Sequence, residues 1–341
     1  MTYTDRDHPN RQPYDPLRNL QLFQPMRQGE GWQAYINGLL PHAYVDSDSP
    51  VFTYELRDWT KERSPGDLKR TIGWELLRNT VFAVVLWLIA FSMSGGDANQ
   101  RYESMWVLVG VALGLSVFAG YVLDGFCVYI TAFSNRAQQM DGVHYDLLSL
   151  SHVDTEHLVR ARFAAAQVRV WNIMRTVLGI RLLAIVFVLL NLFAAPSLLD
   201  LDLTMYISLN VLSGLGFWPG ALARTMLFFG ATMLGVMMLI EPLWRLRALT
   251  AAGMAAAGNR RPTTVVLIYA AGALVGVWLI QTTLLVVVGI LVFAFSASST
   301  CMTLVFPAAA LIGGGNLRML YFGLQFAWLR GVYNAVHLSE A

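Results

Sequence analysis

Three histidines lie in one polar stretch of an otherwise apolar chain, and imidazole is the commonest protein ligand for metal ions. His144, His152 and His157 belong to the segment DGVHYDLLSLSHVDTEHLVRARFAAAQVR, which also contains four acidic residues. Their spacings are eight and five residues, whereas a helix aligns ligands at spacings of about three, four or seven. On one helix, His152 and His157 would point about 140° apart. We therefore expect surface histidines and no metal site.

A second group of residues could do chemistry inside the apolar segments. Asp124 is an ionisable residue within a span, which makes it a functional candidate by default. Counted from Met105, it lies roughly 28 Å along the helix, close to the inner end. The sequence therefore favours an interfacial carboxylate that faces a neighbouring helix, with a role in a pathway as the alternative. Gln281 either lines a pathway or bonds a neighbouring helix.

Gly110 and Gly114, in GVALG, form a ridge of small residues that permits close helix approach. Such a ridge favours packing within the chain, and a dimer face is the alternative. The sequence has no GxxxxGK[ST], HExxH, GxSxG or CxxC motif. We therefore expect no enzyme, no cofactor and no nucleic-acid partner. Any transport by this chain would draw its energy from a gradient or from a partner chain.

These residues must be positioned by membrane-spanning helices. Of the 341 residues, 56% are hydrophobic and 13% are charged, and the mean hydropathy is +0.50. A helix needs roughly 20 apolar residues to cross a bilayer, and continuous apolar runs favour helices over strands. The sequence predicts an all-α, polytopic membrane protein with about six transmembrane helices and amphipathic surface helices. The predicted spans are 73–93, 105–133, 177–195, 221–240, 264–290 and 300–316 or later.

The apolar run from Thr263 to Ser296 is longer than one span needs. We expect one span with a re-entrant or external piece, and a hairpin about Gln281 is the alternative. The region after Asn316 either completes the sixth span or lies along the inner surface.

Basic residues predict the orientation, because cytoplasmic loops are enriched in Lys and Arg. Arg57, Lys61, Arg63, Lys69 and Arg70 precede the first span, whereas the next loop has Arg101 alone. We expect a multi-pass protein of the cell membrane with a cytoplasmic N-terminus. Residues 1–70 would be a polar tail with a surface helix from Gly31 to Leu40, and residues 71–341 the transmembrane domain. Arg245 and Arg247 are predicted to lie in a cytoplasmic loop after span four.

The polar stretch is the predicted cytoplasmic segment, 136–172. Tyr145, Leu147 and Leu148 form a short apolar face. Asp154 is a good N-cap, and Thr155 and Glu156 follow in the first turn. The pattern predicts a short helix, a tight turn and a longer helix that runs into span three.

This segment resembles one found in type-two ABC exporter permeases. DGVHYDLLSLSHVDTEHLVRARFAA is similar to a Gly-Thr-aromatic-acid-Leu-Leu run followed by a turn and a helix, and SPVFTYELRDWTKER resembles the start of such subunits. The resemblance implies that the segment docks on a separate nucleotide-binding ATPase and that the chain works as a homodimer or heterodimer. The implied docking residues are Tyr145, Asp146, Leu147, Leu148, Asp154, Thr155, Glu156 and Leu158.

The sequence thus supports two functions. The first is the transmembrane permease subunit of an ABC-type transporter that is powered by the separate ATPase. The alternative is a membrane scaffold or assembly subunit of a larger complex, which does not transport and uses the same segment to bind another partner.

Overall fold

The computed structural model describes residues 38–45, 49–56, 65–95, 98–140, 155–194, 219–257, 262–298 and 302–339. In these ranges the chain is almost entirely helical and contains no strand, so the predicted all-α class is confirmed. A 3-10 turn, Pro41–Tyr44, precedes the first α-helix. The α-helices are α1 (Pro50–Glu55), α2 (Pro65–Met93), α3 (Ala98–Met140), α4 (Thr155–Arg169), α5 (Trp171–Ala194), α6 (Pro219–Ala257), α7 (Thr263–Ser298) and α8 (Met302–Ser339).

Five of these helices, α2, α3, α5, α6 and α7, are long and apolar enough to cross a membrane. Their apolar parts are Leu68–Met93, Ser104–Ser134, Trp171–Leu192, Phe228–Ala257 and Thr263–Thr283. Each overlaps one of the first five predicted spans. The predicted sixth span falls in the first half of α8, a helix as long as the others but not among these five.

Three helices run further than the sequence indicated. Helix α7 passes through Gln281 without interruption, so the hairpin alternative is wrong. Helix α8 continues past Asn316 as one element. Helix α6 continues through Pro242 to Ala257. The prediction of a loop at Arg245 and Arg247 is therefore wrong.

Helix α6 is at the centre of the bundle and packs against α3, α5, α7 and α8, whereas α2 packs mainly against α5. Large apolar side chains on the outer faces of α2, α3 and α7 remain exposed on the chain. Outward-facing apolar surface of this kind is what lipid tails cover in a membrane protein.

Helix α4 is a core element at one end of the bundle. Every residue from Ala161 to Val170 is buried, and α4 packs against the 3-10 turn, α1, α6 and α8. Tyr44 and Phe163 meet edge to face, with ring centroids 5.1 Å apart. The longer predicted helix is present, but a turn at Val170 separates α4 from α5.

The described end of the predicted surface helix is also buried. Leu39 and Leu40 belong to the main apolar core. Residues 31–37 of that helix lie outside the described ranges.

Candidate functional site

Four charged side chains and one tyrosine meet inside the helix bundle. Asp124 comes from α3, Arg181 from α5, Glu241 and Arg245 from successive turns of α6, and Tyr321 from α8. All five residues are at most 7% exposed. We refer to these five residues as the charge cluster.

Glu241 is the common acceptor of the charge cluster. Arg181 donates from Nη1 to Glu241 Oε2 at 2.5 Å, and the Tyr321 hydroxyl donates to Oε1 at 2.7 Å. Arg245 Nε lies 3.4 Å from the same Oε1. One carboxylate therefore ties α6 to α5 and α8.

Pro242 explains why Arg181 lies where it does. A proline within a helix has no N–H to donate to the carbonyl four residues earlier, which here belongs to Met238. Arg181 Nη1 donates to this Met238 oxygen at 2.8 Å. The guanidinium of α5 thus satisfies a backbone acceptor that Pro242 leaves open on α6 and pairs with Glu241 at the same time.

Asp124 joins α3 to the charge cluster through Arg245, with 3.2 Å between Asp124 Oδ2 and Arg245 Nη1. Gly120, one turn earlier on α3, makes this approach possible. A Cβ at Gly120 would lie 3.1 Å from Arg245 Nη2 and 3.5 Å from Arg181 Nη2. A larger residue would therefore require the Arg245 guanidinium to shift.

Asp124 faces a neighbouring helix, as the sequence suggested. The apolar part of α3 continues past it to Ser134, roughly 15 Å further at the helical rise. Its carboxylate is in the interior of the bundle.

The charge cluster balances its own charge, with two carboxylates and two guanidinium groups. A buried ion is costly unless it is paired and hydrogen-bonded. The pairing here crosses helices, so each helix carries a charge that only its neighbours neutralise. This arrangement favours one register of α3, α5, α6 and α8.

Gln281 is buried in the contact between α7 and the rest of the bundle at 6% exposure. Its side-chain oxygen has no hydrogen-bond partner among the described residues. The next residue, Thr282, contacts the Tyr121 hydroxyl of α3 at 3.2 Å, and Trp278 meets the Tyr121 ring edge to face at 5.4 Å. This polar contact joins α7 to α3.

Gly110 and Gly114 lie on the exposed face of α3. No described atom comes within 4 Å of a Cβ built at either position. The ridge therefore packs against no described part of this chain, although the sequence favoured such packing. The alternative, a dimer face, stays a prediction.

The predicted docking residues are described only in part. Tyr145, Asp146, Leu147, Leu148 and Asp154 lie outside the described ranges. Helix α4 begins at Thr155, directly after the predicted N-cap, and the side chains of Thr155 and Glu156 are not among those described. Leu158 is 8% exposed and packs in the core around α4, so it lies beneath any docking surface.

The structure describes one of the three histidines of the polar stretch. His144 and His152 lie outside the described ranges, and His157 Nε2 lies 3.0 Å from the hydroxyl of Ser49. Within the described ranges, no three His, Cys, Asp or Glu side chains come together as metal ligands would.

A second ionic contact joins α4 to α1. Arg169 Nη2 donates to both the backbone oxygen and Oε2 of Glu55 at 2.9 Å, and Arg162 Nε lies 3.4 Å from Oε1. Burial lowers the pKa of the Arg169 guanidinium, and the Glu55 carboxylate opposes that effect. One carboxylate of α1 therefore holds two cations of α4.

Sequence reasoning missed Arg181, Arg245, Tyr321 and Glu55 as site residues. Arg181 carried a usable signal, because it lies within the predicted span 177–195 and an ionisable residue inside a span is a candidate. Glu241 and Arg245 are four residues apart, the spacing of a helical ion pair. Glu55 and Tyr321 have no comparable local signal.

Comparison with protein-family models, with curated proteins and with solved structures finds no match for this chain. The fold and the five apolar helices define its class: it is a multi-pass helical membrane protein.

Proposed function

We propose that this chain is the membrane-spanning subunit of a transporter driven by a separate ATPase that docks between α3 and α4. The observation that supports it best is the position of α4. This helix follows the first five predicted docking residues and packs against α6, one of the five candidate spans, and against α8. A force applied at the segment would reach both helices through packed side chains.

The ionic contact between α1 and α4 makes the path from the docking segment through α4 to α6 and α8 rigid. Glu55 holds Arg162 and Arg169 in a buried site, so α1 and α4 should move as one unit. At the other end of the path, the charge cluster ties α6 to α3, α5 and α8. A tilt of α6 would therefore be shared by four helices, which is what opening a path beside the bundle requires.

The distribution of basic residues supports an orientation of the chain in the membrane. Lys69, Arg70, Arg175 and Arg247 lie toward the helix ends where α4 packs, whereas Arg101 lies toward the opposite ends. Under the positive-inside rule this distribution favours a cytoplasmic N-terminus and a cytoplasmic α4 in the cell membrane. The ATPase would then have access to residues 141–156.

The experiment is co-purification of the native protein in mild detergent, with ATP hydrolysis measured on the isolated complex. We expect a chain containing GxxxxGK[ST] to co-purify and Leu148→Asp to remove it. His144→Asp lies in the same segment but outside the predicted docking residues, so it is the matched control and should leave the complex intact.

A third variant separates docking from coupling. Glu55→Gln leaves the docking residues unchanged but weakens the α1 to α4 contact, so the ATPase should still bind while the coupling of its hydrolysis to transport falls. If no such chain co-purifies with the native protein, the transporter proposal is wrong. The scaffold or assembly subunit would then replace it.

A further inference from the structure

A groove between α2 and α5 has a volume of about 240 Å³ and lies apart from both ionic contacts described above. Its walls change character along the helices. One end is polar, with Glu75, Arg78 and Asn79 from α2 and Asn172, Arg175 and Thr176 from α5. The other end is apolar, with Phe82, Ile180 and Leu183.

The polar end of the groove lies near the start of the apolar part of α2, which begins at Leu68. Trp74 is 66% exposed there, and exposed tryptophans are enriched at the membrane–water interface. Lys69 and Arg70 are exposed one turn before it. The polar end is therefore the end of the groove nearer the lipid headgroups, and the apolar end points toward the acyl chains.

The charges of the groove favour an anion. Arg175 Nη2 donates to Glu75 Oε1 at 2.9 Å, and Arg78 bonds the other oxygen, Oε2. Two guanidinium groups thus share one carboxylate, which leaves a net charge of about +1. Glu75 and Asn172 orient the Arg175 guanidinium, whose Nη1 donates to Asn172 Oδ1 at 3.3 Å. The Arg78 side chain is 61% exposed, so its guanidinium, which carries five N–H donors, is accessible to a phosphate.

Close packing of α2 and α5 forms the floor of the groove. A Cβ at Gly179 would lie 2.5 Å from Asn79 Nδ2, so any larger residue here would displace the Asn79 side chain. Thr176, one turn before Gly179, is exposed on the rim. A large side chain at Thr176 would therefore occupy the groove while Glu75, Arg78 and Arg175 are all retained.

The volume of the groove limits how much of a ligand it can enclose. Closed pockets for whole small molecules usually measure about 300–1,000 Å³, so this groove is too small to enclose one. It is large enough for a phosphate and its ester substituents, with the remainder outside. Phe82, 55% exposed at the apolar end, offers a surface for that remainder.

We propose that this groove binds an anionic phospholipid. Arg78 and Arg175 hold the headgroup phosphate, and one acyl chain lies along Phe82, Ile180 and Leu183. The lipid would fix the distance between α2 and α5 at the headgroup level. The proposal is independent of the transporter function, because it uses no residue of α4 or of the charge cluster.

Native mass spectrometry of the detergent-purified full chain tests it, with phosphatidylglycerol, phosphatidylcholine and inorganic phosphate as probes. Phosphatidylglycerol should bind in preference to phosphatidylcholine, and inorganic phosphate should neither bind measurably nor compete. The double variant Arg78→Gln, Arg175→Gln should weaken phosphatidylglycerol binding by about tenfold or more, because charge-assisted contacts to phosphate are lost. Glu75→Gln should strengthen it.

Two further variants keep the test decisive. Thr176→Trp retains every charge and should still weaken binding, which covers the case in which the double variant does not fold. Arg101→Gln removes an arginine from the opposite end of the bundle and should leave binding unchanged. The proposal is overturned if Thr176→Trp binds phosphatidylglycerol as the native protein does, or if phosphatidylcholine binds equally well. Displacement of the lipid by inorganic phosphate would also overturn it, since the site would then take a free anion.

Discussion

Arg245 is the residue whose loss should affect the fold of this protein most. It lies 3.2 Å from Asp124 Oδ2 and 3.4 Å from Glu241 Oε1, so it is the cation that both acids of the charge cluster share. At an effective dielectric constant of about 20, Coulomb's law gives roughly 5 kcal/mol for unit charges at such distances. Much of that attraction offsets the cost of taking the charges out of water.

The substitution Arg245→Met removes the attraction but leaves the buried acids. Asp124 then has no cation on a described residue within ion-pair distance, whereas Glu241 retains Arg181 and Tyr321. Removing one partner of a buried pair typically costs about 3–5 kcal/mol. We expect Arg245→Met to lower the free energy of unfolding by that amount.

A second substitution separates the effect of charge from the effect of packing. In the double variant Asp124→Asn, Arg245→Met, the remaining charges are Glu241 and Arg181, which still pair. The double variant should therefore be more stable than Arg245→Met alone, by about 2 kcal/mol, within the range of couplings measured for contacting residues. Lost packing of the arginine side chain would destabilise both variants equally.

The assay is equilibrium unfolding in mixed micelles with increasing denaturing detergent, followed by tryptophan fluorescence and checked for reversibility. Arg70→Met is the control, because Arg70 is an exposed arginine on α2; it should change stability by less than about 0.5 kcal/mol. Additive effects of Asp124→Asn and Arg245→Met, within about 0.5 kcal/mol, would refute the idea that these two charges stabilise each other.

Two further predictions use the same unfolding assay. A Cβ at Gly253 would lie 2.8 Å from the Val128 backbone oxygen, so Gly253→Ala should lower the free energy of unfolding by about 1–3 kcal/mol. Gly110→Ala is the control and should be neutral or slightly stabilising, because alanine is the better helix former. Equal losses for the two variants would contradict the close approach of α6 and α3. Asn191 accepts a hydrogen bond from Trp87 Nε1 at 2.8 Å, so Asn191→Leu should lower the free energy of unfolding by about 1–3 kcal/mol by leaving the buried N–H unsatisfied. A second change, Trp87→Phe, should then add little to this loss. A full additional loss of stability in the double variant would show that the hydrogen bond does not matter.

The sequence predicted the helices well where composition alone decides. A run of apolar residues has few stable forms in lipid other than a helix, so the first, second, third and fifth spans were located to within seven residues. The fourth was predicted to end at 240, seventeen residues before Ala257. The helix start after Asp154 was also predictable, because a side-chain acceptor before a first turn is a local signal. These features depend on neighbours in sequence.

The errors fall where the deciding contact is distant in sequence. Arg245 and Arg247 were predicted to mark the end of span four, since charged residues usually leave the membrane. Arg247 instead donates to the Gly38 backbone oxygen and lies over the Tyr44 ring at 5.2 Å. Neither partner could be inferred from residues near Arg247.

Pro242 is another position where the deciding contact is distant in sequence. Taken alone, Glu241 and Pro242 indicate the end of an apolar helix, because the acid is costly in lipid and the proline removes a backbone hydrogen bond. Arg181 reverses both effects at once, since it pairs with Glu241 and donates to the carbonyl of Met238. A charge or a proline therefore ends a membrane helix only when no neighbouring helix compensates for it, and in this protein the compensating residue lies on α5, about sixty positions earlier in the chain.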